Sequence, residues 1–141
     1  MKTVQPARLL KFALYADAAA SVGLGVLQLL LPSLLTEQLR LPTVLLTGTG
    51  LFLLAYALVL VLLASARQVW AAAIRFIVIG NVGWALACCA LLLSATVAPS
   101  PLGTAFIAVQ AGAVLVFAYL ERAGLRESLW DGVPQARPLQ A

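Results

Sequence analysis

The sequence predicts an all-α membrane protein: an antiparallel four-transmembrane-helix bundle with both termini cytoplasmic. Three observations carry this. Four apolar runs, 12–31, 44–63, 69–93 and 102–120, each approach the ~20 residues a helix needs to cross ~30 Å of hydrocarbon. Charged residues make up 10% of the 141, where a soluble domain carries roughly 25%. The Lys and Arg residues lie almost entirely on one side of the four runs. Strands are excluded by length, since barrel strands are ~10 residues of alternating polarity and these runs are continuous.

The first element is a short cytoplasmic arm, residues 1–8. Pro6 suits the start of the helix that follows. That helix is expected over 9–31, ending before Pro32. Lys2, Arg8, Lys11 and Ala18-Ala19-Ala20 give it some likeness to a secretory leader. Asp17 interrupts the run early and hydrophobicity continues to Leu31, so a retained helix is expected.

The first outer connection reads PSLLTEQLRLP. A short interfacial helix there would bury Leu34, Leu35, Leu39 and Leu41 and wet Glu37, Gln38 and Arg40; a plain loop is the alternative. The second helix is expected over 43–64, after Pro42, and the third over 69–94. Pro99 and Pro101 indicate an outer turn before the fourth, 102–120. Residues 121–141 should form a cytoplasmic interfacial segment around Trp130, then a mobile tail beyond Gly132. One membrane domain, 9–120, therefore uses most of the chain.

Orientation follows from basic residues. Lys2, Arg8, Lys11, Arg67, Arg75, Arg122, Arg126 and Arg137 fall on one side, and Arg40 alone on the other. The positive-inside rule makes the richer side cytoplasmic, so both termini are expected there, N-in and C-in. A faint repeat relates Leu53-Leu54-Ala55-Tyr56 to Val116-Phe117-Ala118-Tyr119 and would suit a duplicated pair of helices.

Ionisable residues at bilayer depth are expensive, so they are where function is sought. Asp17 and Arg75 are the two candidates. Both should stand ~9–12 Å from the cytoplasmic end of helices running the same way, which allows an ion pair. The competing expectation for Arg75 is snorkelling to headgroups. On the first helix, Ser21, Gly25 and Gln28 follow Asp17 on one face and should meet protein rather than lipid. Thr43, Thr47 and Gly50 give the second helix an equivalent stripe. Gly80, Asn81, Trp84 and Cys88 lie roughly together on the third, and Ala105, Ala108 and Gly112 form a small-residue seam on the fourth. Asn81 and Gln110 are at similar expected depths and could hydrogen-bond as helix glue or contact a ligand.

Asp17 early in the first helix, the Gly80-Asn81-x-x-Trp84 element in the third and Gln110 in the fourth resemble a widespread group of small four-helix bacterial integral membrane proteins. That group carries an uncharacterised label and is distantly DoxX-like. The resemblance spans roughly residues 9–119. It implies an up-down four-helix bundle in a bacterial inner membrane, and no activity.

Function classes narrow by absence of suitable side chains. No histidine is present, so histidine-ligated metals, bis-histidine haem and histidine acid–base catalysis lose their usual residue. Cys88 and Cys89 are adjacent, a spacing that strains a disulfide, and read as small apolar residues. No cofactor, no metal and no catalytic residue is expected, and no nucleic-acid partner. The leading expectation is an accessory or self-associating membrane module that binds lipid, a second copy or another membrane protein. The alternative is a small oligomeric transporter or channel using Asp17 and Arg75. A membrane enzyme, built from Asp17, Tyr15, Tyr56, Tyr119 and the cysteines, ranks last.

Overall fold

The computed structural model describes residues 3–94 and 96–130. In chain order these form β1 (Thr3–Val4), α1 (Arg8–Leu30), α2 (Pro32–Leu39), α3 (Thr43–Ser65), β2 (Val69–Trp70), α4 (Ala71–Leu93) and α5 (Pro101–Trp130). Among them α1, α3, α4 and α5 are long and apolar enough to cross a membrane. They are the four helices the apolar runs predict. The mobile tail expected beyond Gly132 lies outside the described residues.

Helix ends fall where the backbone chemistry changes. Pro32 occupies the first turn of α2, where its missing N–H is not needed. The first connection thus adopts a short helix rather than a plain loop. Arg40 ends it in the left-handed region, at φ 53°. Leu39 and Leu41 are buried, while Leu34 stays half exposed. The Ser100 N–H donates to the Leu39 carbonyl at 3.0 Å. Gly103 packs so close to that same carbonyl that a side chain would collide. The α2 turn is therefore seated on the start of α5.

Two elements differ from expectation. The N-terminal arm is not free: Thr3–Val4 pairs antiparallel with Val69–Trp70, so α4 starts two residues later than its apolar run. The fourth helix does not stop near Leu120 but continues unbroken to Trp130. Glu121-Arg122 looks like a helix exit because it is charged, yet no proline follows it up to Trp130 and the helix runs on through Gly124. Glu121, Gly124, Leu125 and Ser128 are all buried, so the interior-facing stripe simply continues at helical spacing.

Helix α1 packs against both α3 and α5. Between α1 and α3, the Tyr15 hydroxyl is 3.0 Å from Ser65 Oγ, and Thr49 Oγ1 donates to Gln28 Oε1 at 2.9 Å. Their closest approach is at Gly25 and Gly50: a Cβ on Gly25 would stand 2.9 Å from the Gly50 carbonyl oxygen. Between α1 and α5, the Ala7 N–H donates to Ser128 Oγ at 2.9 Å. There Gly124 lies against the Leu10 backbone, and a Cβ would fall 2.5 Å from the Leu10 nitrogen. Small residues permit such contacts, which supply the packing attraction that lipid cannot.

Two apolar clusters result. One joins Leu10, Leu14, Leu60, Ile74, Ile77 and Leu125 at the end that carries β1 and β2. The other joins Leu39, Leu41, Leu46, Cys88 and Ile107 at the opposite end. Between them lie buried polar residues. The outer faces expose Phe12, Phe76, Ile79, Leu86 and Val109, each more than 60% accessible, an apolar surface suited to lipid tails.

The seam of Ala105, Ala108 and Gly112 does not face the other helices; all three are exposed. At 3.6 residues per turn they lie about 140–200° around the helix from Gly103, whose side packs inward. The faint repeat is not mirrored either: Tyr56 is half-buried among polar groups, and Tyr119 is 72% exposed.

Candidate intramembrane polar site

The expected polar stripe of α1 is buried along its whole length: Asp17, Ser21, Gly25 and Gln28 all face the interior. Gln28 is satisfied by Thr49 of α3. Asp17 is the hub. Its Oδ1 accepts from Ser21 Oγ at 3.3 Å. Its Oδ2 accepts from Asn81 Nδ2 at 3.0 Å and lies 3.2 Å from the Tyr56 hydroxyl.

Asn81 connects this carboxylate to another. Its Nδ2 also donates to Glu121 Oε2 at 3.1 Å, using both amide hydrogens. The Tyr56 hydroxyl stands 3.0 Å from Asn81 Oδ1. A tyrosine has one hydroxyl hydrogen, so Tyr56 divides it between Asp17 and Asn81. Each long helix thus contributes one residue: Asp17, Tyr56, Asn81 and Glu121. Asp17, Asn81 and Glu121 are at most 3% exposed. Glu121 Oε1 is buried with no hydrogen-bond partner.

Two carboxyl groups therefore share one amide at the centre of the apolar helices. Isolated charges in such a medium are prohibitively costly unless neutralised, hydrogen-bonded or paired. The donors of Ser21, Tyr56 and Asn81 satisfy Asp17. They leave the Glu121 Oε1 acceptor without a donor.

A cavity of about 340 Å³ opens beside this cluster. Asp17, Ser21 and Asn81 form its polar end, and Phe52, Tyr56, Phe76 and Trp84 line its walls. Phe52 stacks between Tyr56 (centroids 6.0 Å apart) and Trp84 (5.4 Å), with planes within 8°. Tyr56, Phe52 and Trp84 therefore form one continuous stack along the wall.

Arg75 is not part of this site. It is exposed and lines a groove between α4 and α5 with Arg122 and Arg126. Asp17 and Arg75 share an expected depth but not a direction around the helix axis. Six residues separate Arg75 from Asn81, about 120° off the face that meets Asp17. The partners of Asp17 are Asn81 and Tyr56 instead.

Asn81 and Gln110 do not pair: both Asn81 amide hydrogens go to Asp17 and Glu121, and its Oδ1 meets the Tyr56 hydroxyl. Gln110 is half-buried and lines two cavities of about 50 Å³, one beside Asp17 and Ser21, the other beside Gln28 and Cys88. Trp84 borders both, so it links the ends of the interior. Placing the end of the fourth helix near Leu120 puts Gln110 at the level of Asn81. The extra turns of α5 put Glu121 there.

Glu121 is the residue that sequence reasoning missed. Its signal is its spacing: Ala118, Glu121, Leu125 and Ser128 repeat at three and four residues and are all buried. Cys88 is buried, Cys89 exposed, and both are free thiols. Among the described residues no group of three or more His, Cys, Asp or Glu is placed to hold a metal ion. No protein-family model, no curated protein and no solved structure matches the chain.

Proposed function

We propose that this protein is a non-catalytic module of the bacterial inner membrane that binds a lipid-phase molecule in the cavity beside Asp17. In this reading the four long helices form an antiparallel transmembrane bundle with both termini in the cytoplasm. The observation that carries it is the cavity of about 340 Å³ whose aromatic walls end on Asp17 and Asn81. Ligand sites are typically apolar pockets with a few convergent polar groups. Both Asn81 amide hydrogens are already used, so the site offers acceptors. The ligand class is an apolar body with a hydrogen-bond-donating head, an amine or a hydroxyl. Aromatic faces favour a cationic head.

Binding is tested with the chain in detergent after Trp70→Phe and Trp130→Phe, which leave Trp84 as the sole tryptophan. Octylamine should change Trp84 fluorescence saturably. Asp17→Asn should weaken the effect tenfold or more while helicity is retained. A linear, non-saturating response, or equal affinity in Asp17→Asn, overturns the assignment.

Orientation rests on the eight-to-one distribution of basic residues. In a background without native cysteines, Leu139→Cys should be labelled from the cytoplasm and Thr96→Cys from outside. The outward seam of Ala105, Ala108 and Gly112 suits close approach of a second copy or another membrane protein.

A second reading, a small proton or cation transporter, is favoured by the partnerless Glu121 Oε1 beside Asp17. It requires flux in proteoliposomes above that of empty vesicles, lost in Glu121→Gln. Absence of flux discards it.

A further inference from the structure

We infer that the groove between α4 and α5, at the end carrying β1 and Trp130, binds the phosphate of an anionic phospholipid. The groove is independent of the Asp17 cavity. It encloses about 490 Å³ and is lined by Arg75, Arg122 and Arg126 together with Val78, Ile79, Leu125 and Leu129.

Charge is the first argument. Three arginines from two helices line one groove, and among the described residues no carboxylate lines it. Glu121, next to Arg122 in sequence, is turned inward to Asn81. Glu127, next to Arg126, does not line the groove. Snorkelling explains one long cationic side chain near an interface. It does not explain three gathered together, where their mutual repulsion calls for an anion.

Depth is the second. Trp70 and Trp130 are 56% and 79% exposed at this end, as tryptophans at a membrane–water interface are. Arg75 lies five residues inward of Trp70, or ~7.5 Å, at 1.5 Å per residue. Arg126 and Arg122 lie four and eight residues inward of Trp130, or ~6 and ~12 Å. The arginines therefore reach from headgroup level into the upper acyl region. Only an anion that enters with its own apolar chain fits both parts of the groove. Its phosphate would accept paired N–H bonds from the planar guanidinium groups. Its acyl chain would cover Ile79, which is 67% exposed in the isolated chain. Basic pockets between membrane helices bind anionic headgroups in this manner.

The test is native mass spectrometry of the full chain released from mild detergent. Three probes are added separately: phosphatidylglycerol, phosphatidylcholine of the same acyl chains, and inorganic phosphate. Phosphatidylglycerol should be retained at least fivefold over phosphatidylcholine. Arg75→Gln with Arg122→Gln should abolish that preference, whereas Arg8→Gln with Lys11→Gln should keep it. Arg126→Gln alone, an exposed change in the last turns of α5, should reduce it and guards against misfolding of the double variant. Arg122→Lys should retain part of it, since charge remains but the paired geometry is lost. Equal retention of both lipids overturns the proposal. So does a preference unchanged in the groove variants, displacement of the lipid by inorganic phosphate, or a dimer mass in place of the lipid adduct.

Discussion

Asp17 of α1 and Glu121 of α5 hold the two hydrogens of a single Asn81 amide, at 3.0 and 3.1 Å. One neutral side chain thereby stands between two acids in the middle of an apolar structure. The consequences for stability are specific.

Removing the shared donor should be severe. Asn81→Leu strips a hydrogen bond from each carboxyl group, and buried groups left unsatisfied cost about 1–3 kcal/mol each. A loss of several-fold in resistance to sodium dodecyl sulfate unfolding is expected. Asn81→Asp, which adds a third carboxyl group, should be worse still. A variant as stable as the native chain would show that the bridge contributes nothing.

Asp17 and Glu121 should be energetically coupled. Glu121→Gln removes one acid and keeps the shape, so it should be no less stable than the native chain. The effect of Asp17→Asn should then differ between the native and Glu121→Gln backgrounds by at least about 0.5 kcal/mol, as for residues sharing one network. Additive effects in a double-mutant cycle would contradict the shared amide.

Tyr56 and Tyr119 should behave differently despite their matching sequence context. Tyr56→Phe deletes the hydroxyl that serves Asp17 and Asn81 and should cost about 1 kcal/mol. Tyr119→Phe changes an exposed position and should be silent. Equal effects, read by detergent-phase unfolding, would mean the two tyrosines share an environment.

Glycine substitutions should separate packing from propensity. Gly124→Ala drives a methyl group into the Leu10 backbone and should lose about 1–3 kcal/mol or more. Gly112→Ala and Gly23→Ala meet nothing within 4 Å and should stay within about 0.5 kcal/mol of native. Thermal stability of the three variants in one detergent gives the comparison.

The sequence by itself determined the four long helices, because continuous apolar runs near 20 residues have no other stable form in lipid. It also determined the buried face of α1, since Asp17, Ser21 and Gln28 recur at helical spacing within an otherwise apolar stretch. Depth along α1 and α4 was legible in the same way, but along α5 it was not, because that helix continues past Leu120. Direction around a helix was not legible: rotation depends on which neighbours pack, and the tight contacts at Gly25–Gly50 and Gly124–Leu10 settle that only in three dimensions. Tertiary structure alone therefore turned Arg75 outward, carried α5 past Leu120 and brought Glu121 to Asn81. The physical reason is that hydropathy reports the cost of leaving water, whereas the partners of a buried charge are chosen by helix rotation and close packing.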